Sequence, residues 1–298
     1  MGALIIISTY VFYKYYFLKI EYFSQIICKS HIPDYTRWIL SDKYVGKEYA
    51  KQYGFEVPET YQLVEFPHHI KWDFKTAVIK PVDLCDGGGI YFIKDGKDFI
   101  TGKKIKPEEI KKELQYLRSN IMSEYYMHEK MFQGLVPYNG YLVEELLLDE
   151  NGNIPQDYKC YVFGGKIHYI AVTCDRKMID GNQNFKSVWL DREFQPLRIP
   201  MIKKGYQYQK IDIPPGFEKM RELVENMGKV LKRHCRIDTY LINGKTYLGE
   251  FTFFCGASLH TKYANFQLGK LWKMYPDNYE SQDRILSSLV PSYYLNPY

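Results

Sequence analysis

Four stretches of this 298-residue chain carry residues that could handle a phosphorylated ligand. The first is Lys80, closing the apolar run Thr76–Lys80 and followed, after Pro81, by Gly87, Gly88 and Gly89. A lysine at a strand end is a cation held in place. Glycines, having no Cβ, let backbone N–H groups approach phosphate oxygens closely. The second is RIDTYLINGKTYLGEFT, residues 236–252, in which Arg236, Asp238 and Glu250 interrupt aromatic and β-branched runs. Charges in such strands need partners, because an unpaired buried charge is costly. Two carboxylates on a rigid sheet suit Mg2+, which takes one or two carboxylates plus substrate phosphates. Arg236 could then stabilise charge on a transferring phosphoryl group. The same residues also read as an edge hairpin with a structural Arg–carboxylate pair. The third stretch is Asp157-Tyr158-Lys159, which offers Lys159 as an inward cation. The fourth, Glu144-Glu145-Leu146-Leu147, ends a strand where backbone groups could meet an adenine edge and a carboxylate a ribose. Taken singly, each has a plainer reading as a solvated lysine, a flexible turn or an ordinary strand end.

These residues need elements to position them. Ser41-Asp42 caps a helix over KYVGKEYAKQYG, with Tyr44, Val45, Tyr49 and Tyr53 as its apolar stripe and Gly54 as its stop. Thr76–Lys80 is a strand, and the glycine run leads to a second strand at IYFIK. That is a flap between strands, not the strand-to-helix setting of a Walker loop. Pro107–Ser119 and Phe217–His234 have helical periodicity. Gly140–Leu148 is a strand that ends in a turn at Asp149, and Asp157–Phe163 forms a hairpin with Lys166–Thr173 around Gly164-Gly165. Arg236–Ile242 and Lys245–Phe254 pair around Asn243-Gly244. Strands with interspersed helices in this order predict an α+β fold with largely antiparallel sheets.

The last hairpin carries a parity condition. A strict two-residue Asn243-Gly244 turn sets Ile237, not Asp238, opposite Glu250, so the two carboxylates leave opposite faces. They share a face only if one extra residue is inserted. The sequence therefore predicts a three-residue loop or a bulge at Gly244.

Bulk properties narrow the classes. Hydrophobic residues make up 46% and charged residues 25%, as in an ordered globular chain. The net charge of +5 is spread along the chain without a basic block, a mild bias toward anionic ligands such as nucleotides that is too weak to argue for nucleic acid, so no nucleic-acid partner is expected. None of the six cysteines forms a CxxC pair, which suits buried thiols in a reducing, cytoplasmic compartment. Residues 2–13 are almost wholly apolar or aromatic, but Lys14 interrupts them, and a spanning helix needs about 20 apolar residues. Three readings stand for residues 1–20: an uncleaved membrane anchor, an interfacial aromatic segment, or an element of the fold.

Taken in order, these elements resemble the TupA-like ATP-grasp family, associated with teichuronopeptide and other polysaccharide synthesis. The resemblance rests on SDKYVGKEYAKQYG (41–54), VIKP with DGGG (78–89), VEELLLDENGNIPQDYKCYVFGGK (143–166), CDR (174–176), SVWLD (187–191) and RIDTYLINGKTYLGEFTF (236–253). It implies an ATP-grasp fold holding Mg·ATP between two subdomains, so that ATP and Mg2+ are the expected cofactors. Lys80 would contact the α- and β-phosphates under Gly87, Gly88 and Gly89. Glu144, Glu145 and Leu146 would frame the adenine, Asp149 would reach the ribose, and Lys43 would contribute from the N-terminal part. Lys159 and Arg176 would line the phosphate side, Arg236 would stabilise an acyl phosphate, and Asp238, Glu250 and Thr252 would hold the metal. Thr252 stands where many ATP-grasp enzymes have Asn or Asp. The implied division is 1–24 as a hydrophobic segment, 25–70 as an N-terminal subdomain, 71–148 as the central subdomain and 149–298 as the C-terminal subdomain. The implied reaction is carboxylate–amine ligation through an acyl phosphate, on an amino acid, peptide or carboxylate-bearing glycan. Its rivals are a kinase on the same fold and a nucleotide-binding accessory protein without turnover.

Overall fold

Short hairpins turning at Asp95-Gly96, Gly164-Gly165 and Asn243-Gly244 contribute to two largely antiparallel sheets. The computed structural model describes residue 22 and residues 35–82, 89–117, 140–179, 182–253 and 259–278. The elements are α1 (Tyr35–Ser41), α2 (Lys43–Lys51), β1 (Thr60–Val64), β2 (Thr76–Pro81), β3 (Tyr91–Lys94), β4 (Lys97–Asp98), α3 (107–117) and β5 (Tyr141–Glu144). They continue with β6 (Asp157–Phe163), β7 (Lys166–Ile179), β8 (Asn182–Leu190), β9 (Tyr206–Gln207), α4 (Phe217–Leu231), β10 (Cys235–Ile242), β11 (Lys245–Thr252) and α5 (Lys262–Met274). The first sheet runs β1-β5-β2-β3-β4 and the second β11-β10-β6-β7-β8-β9. All pairings are antiparallel except β8 with β9. The α+β expectation holds.

Each sheet buries one face under a helix. In the first, Ala77, Ile79, Ile93, Tyr141 and Val143 pack with Ile110 and Leu114 of α3. In the second, Cys160, Val162, Ile170, Val172 and Ile237 pack with Met220, Val224 and Met227 of α4. The segment 25–70, expected as one subdomain, divides between the two. Tyr49, Ala50 and Phe55 join the core of the second sheet, and β1 is an edge of the first. Helix α2 begins as predicted, with Asp42 Oδ1 accepting from the N–H groups of Tyr44 at 2.8 Å and Val45 at 2.9 Å. Its buried face differs from the predicted stripe. Tyr44 and Tyr53 are half-buried, while Lys43 and Lys47 are buried.

One aromatic from the N-terminal segment is a core residue. Tyr22 has no exposed surface, donates to or accepts from His234 Nε2 at 2.7 Å, and packs edge-on to His234 and His260 and against Trp272. Residues 1–20, to which the three readings apply, lie outside the described residues. No helix among the described residues is long and apolar enough to cross a membrane. Tyr22→Ala should therefore cost about 3–5 kcal/mol of unfolding free energy, the range for losing a large buried aromatic. Chemical denaturation measures it, and an unchanged midpoint would take Tyr22 out of the core.

Candidate functional site

Directly opposed residues on neighbouring strands share a face, so the ladders of the second sheet sort its side chains into rows. One row runs Glu250, Asp238, Lys159, Ala171, Trp189 across β11, β10, β6, β7 and β8. Beside it lies Thr252, Arg236, Tyr161, Tyr169. On the reverse face Phe251, Ile237, Cys160, Ile170 and Leu190 are all buried in the α4 core. Arg236, Asp238, Glu250, Thr252 and Lys159 are thus brought together on one face.

The parity condition is met, although not where it was expected. The Asn243-Gly244 turn has two residues, with positive φ at both (50° and 71°), and pairs Ile242 with Lys245. The ladder keeps that register up to Thr239 with Leu248, then slips by one so that Asp238 faces Glu250. The extra residue is Gly249, five residues beyond Gly244. A Cβ there would lie 3.1 Å from the Asp238 carbonyl oxygen and 3.2 Å from the Tyr240 ring. Asn-Gly keeps its preferred tight turn. The bulge falls instead where a residue without a side chain can be pressed against β10.

Asp238 is almost wholly buried and accepts from Arg236 Nε at 2.6 Å, Arg236 Nη2 at 2.7 Å and Lys159 Nζ at 2.6 Å. Arg236 Nη2 also donates to Thr252 Oγ1 at 3.0 Å and reaches Glu250 Oε1 at 3.3 Å. Lys159 pairs with Asp157 as well, at 2.6 Å. Burial works to raise the Asp238 carboxyl, but Arg236 and Lys159 outweigh it and hold it below the usual carboxylate range. Burial likewise opposes the Lys159 cation, and Asp157 and Asp238 overcome it, so Lys159 stays charged.

On the first sheet, Val78 lies opposite Glu144 and Lys80 opposite Leu142, which sets Lys80 diagonally beside Glu144 on the face away from α3. The buried Glu144 carboxylate holds two ammonium groups, Lys80 Nζ on Oε1 and Lys47 Nζ on Oε2, each at 2.5 Å. Glu144 is therefore a charged anchor for the lysines rather than only part of an adenine frame. Lys47 was not among the expected residues, although its spacing of four from Lys43 on a capped helix was visible. Glu250 of the second sheet also acts on the Lys80 charge, in the direction that keeps Lys80 protonated. One carboxylate cannot favour two cations equally. Burial opposes both, but Glu144, Lys47 and Glu250 together raise Lys80, while burial and Lys80 push Lys47 down to about 7. Lys47 is then cationic below that pH and neutral above it. We expect affinity for an anionic nucleotide to fall severalfold as pH rises through about 7. Lys47→Met should flatten the profile, and titration calorimetry on either side of neutrality measures both. A steep profile surviving in that variant would clear Lys47 of the effect.

The remaining expected residues fall as follows. Lys43 is buried, and its N–H donates to the Val82 carbonyl at 2.9 Å. The Glu145 carboxylate accepts from the Glu59 N–H at 3.2 Å, tying the end of β5 to the segment before β1. Leu146 is buried. Asp149 Oδ1 accepts from the Asn151 and Asn153 N–H groups at 2.9 and 2.8 Å, so that oxygen is engaged by its own turn. Gly89 has φ 73° and packs near Leu114 and Pro81, whereas Gly87 and Gly88 lie outside the described residues. Arg176 sits where β7 slips register between Cys174 and Lys177, and its side chain lies outside the described set.

The donors suit Mg2+ within limits. Among the described residues no three His, Cys, Asp or Glu side chains form a metal cluster, so the chain offers two opposed carboxylates and the Thr252 hydroxyl. That is a fitting set for an ion that completes its shell with phosphate oxygens and water. The Glu250 side chain is one-third exposed, with Oε1 accepting longer bonds from Arg236 at 3.3 Å and Thr252 at 3.2 Å, whereas Asp238 is engaged more tightly by Arg236 and Lys159.

Solved structures of ligases resemble the chain at low identity. The D-alanine–D-alanine ligase from Bacillus anthracis complexed with ATP aligns with a TM-score of 0.43 at 14% identity, over 80% of this chain and 65% of that one. D-cycloserine synthetase DcsG aligns at 0.42 and 11%, over 86% and 72%. An L-amino acid ligase from Bacillus licheniformis aligns at 0.39 and 12%, over 74% and 41%. The chain thus spans less than two thirds of the first of these and less than half of the last. Among curated proteins, none matches at a level that would mark a relative. The sequence profile of the TupA-like ATPgrasp family, however, matches residues 24–271, and with most of its length covered the chain belongs to that family.

Proposed function

We propose that the chain is an ATP-dependent ligase that activates a carboxylate by phosphoryl transfer and passes the acyl group to an amine. The observation that carries this reading is the single sheet face that gathers Arg236, Asp238, Glu250, Thr252 and Lys159, with Lys80 held on Glu144 of the other sheet. A protein that only binds nucleotide has no need of an arginine buttressed by two carboxylates and a hydroxyl. Positioned charge of this kind is the main demand of phosphoryl transfer.

Bound Mg·ATP supplies the phosphoryl group and neutralises charge developing on it. Lys80 and Lys47, presented by Glu144, would bind phosphate oxygens from the first sheet. Arg236, oriented by Asp238 and Thr252 on the second sheet, would meet charge on the transferring group. Glu250 and Asp238 would hold the metal. The substrate we assign is a carboxylate-bearing glycan, an amino acid or a peptide, and the pathway is synthesis of a surface polysaccharide or polysaccharide–peptide, following from the family resemblance.

The test is ATP turnover with a panel of uronic acids, amino acids and small peptides. Phosphate release that requires both a carboxylate and an amine, with an amide product, supports the ligase. Phosphate retained on the substrate turns the reading to the kinase. Nucleotide binding without turnover in any pairing would sink both.

A further inference from the structure

We propose that Asp157 is a positioning residue for the Lys159 ammonium, retaining it when Asp238 exchanges that ammonium for a divalent cation. This rests on the reading of Asp238 and Glu250 as the metal ligands. The conflict that prompts it lies in the geometry. Asp238 accepts three charge-assisted hydrogen bonds of 2.6–2.7 Å, two from Arg236 and one from Lys159. A cation can take one of its oxygens only if a bond from Arg236 or Lys159 is given up. A buried ammonium left without a partner is strongly unfavourable.

Asp157 removes that obstacle. It stands two positions before Lys159 on β6, so both side chains leave the same face of the sheet. Its Oδ2 is 2.6 Å from Lys159 Nζ, the same distance as Asp238 Oδ2. The Asp157 side chain is 6% exposed and that of Lys159 23%, so water does little to stabilise a released ammonium. Lys159 is therefore already bonded to the group that would keep it. Arg236 has a comparable second hold through Thr252 Oγ1 at 3.0 Å. The row Asp157, Lys159, Asp238, Arg236, Glu250 alternates in sign, and displacing one bond in it leaves no charge unpaired. Nothing in the proposed phosphoryl transfer uses Asp157 directly, and no substrate atom need touch it.

The experiment uses the full chain with Mn2+ as the probe, free Mn2+ being read by electron paramagnetic resonance in the presence of a non-hydrolysable ATP analogue. Asp157→Asn is expected to weaken Mn2+ binding about tenfold, comparable to the loss when an outer-shell residue of a metal site is removed. Affinity for the analogue without metal should stay within about twofold, because Lys159 already rests on Asp238 in that state. Unchanged Mn2+ affinity overturns the proposal. So does a drop in Mn2+ affinity matched by tighter metal-free nucleotide binding, which would mark a general charge effect. Should Asp157→Asn unfold, Asp157→Glu keeps the charge while moving the carboxylate. A few-fold loss of Mn2+ affinity there supports the positioning role, and wild-type affinity overturns it. Absence of Mn2+ binding in the wild type would instead defeat the metal reading itself.

Discussion

Lys80→Ala should give a folded protein whose ATP-dependent turnover falls by about 10²–10³-fold, the usual loss when one charged donor to a transferring group is removed. Glu144→Gln should not give a comparably stable protein at all. The asymmetry follows from one buried carboxylate serving two lysines. Without Lys80, Glu144 still has Lys47, so no charge is stranded. Without the Glu144 charge, Lys47 is driven neutral by burial and by Lys80, the Lys80 ammonium is left buried without its carboxylate, and breaking such a pair costs about 3–5 kcal/mol. The Glu144 carboxyl lies below the usual range, burial being outweighed by Lys47 and Lys80. Its share of stability is therefore present above the ordinary carboxylate pKa and is lost as pH falls through the lowered one. Phosphate-release kinetics and urea unfolding separate the two variants. Normal turnover in Lys80→Ala would remove that lysine from the site, and wild-type stability in Glu144→Gln would show the lysines to be solvated.

Two changes of equal size at the bulge should have opposite outcomes. Deleting Gly249 leaves Thr239 opposite Leu248 and lets Asp238 remain opposite Glu250, so both faces of β11 are unchanged. Adding one alanine beside Gly249 makes the surplus two residues, which an unbulged ladder absorbs by sliding Glu250 opposite Arg236. That moves the carboxylate by one pleat repeat, about 7 Å along the strand. The deletion should retain turnover within about tenfold, and the insertion should lower it by at least about 10³-fold, since misplacement of about 1 Å already costs about 10²-fold. Stopped-flow phosphate release reads both. Equal activity in the two would mean that Asp238 and Glu250 need not face each other.

Much of this arrangement was legible because local chemistry and fold agreed. Gly164-Gly165 marked the β6–β7 turn and Asn243-Gly244 the β10–β11 turn, Asp42 marked the start of α2, and the β-branched run before Pro81 marked β2. The parity of Asp238 and Glu250 could be read as a condition from residue numbers alone. Its location could not, because the Asn243-Gly244 turn drew attention away from Gly249, whose role depends on how closely β10 approaches. Lys47 was missed because a lysine on an amphipathic helix is assigned to water by default. Only the packing of α2 shows that its charged side faces Glu144. Asp157 was quoted merely as the start of a strand. Its service to Lys159 is a matter of side-chain reach across two positions, which no motif records.

The junction at Glu144 also bears on how the two sheets can move. Helix α2 packs on β11, and Gly46 lies so near that a Cβ there would be 3.2 Å from the Phe251 ring and 2.7 Å from the Leu40 carbonyl oxygen. From the same helix Lys47 reaches across to β5 of the other sheet. The helix is thus a strut clamped near its middle on two sides, by close packing at Gly46 and by a buried ion pair at Lys47. Any parting of the sheets that carries α2 with β11 must pull Lys47 away from Glu144. Buried pairs are screened only weakly by salt, so the stiffness of this strut is set by protons and by anions that draw the lysines away, and hardly at all by ionic strength.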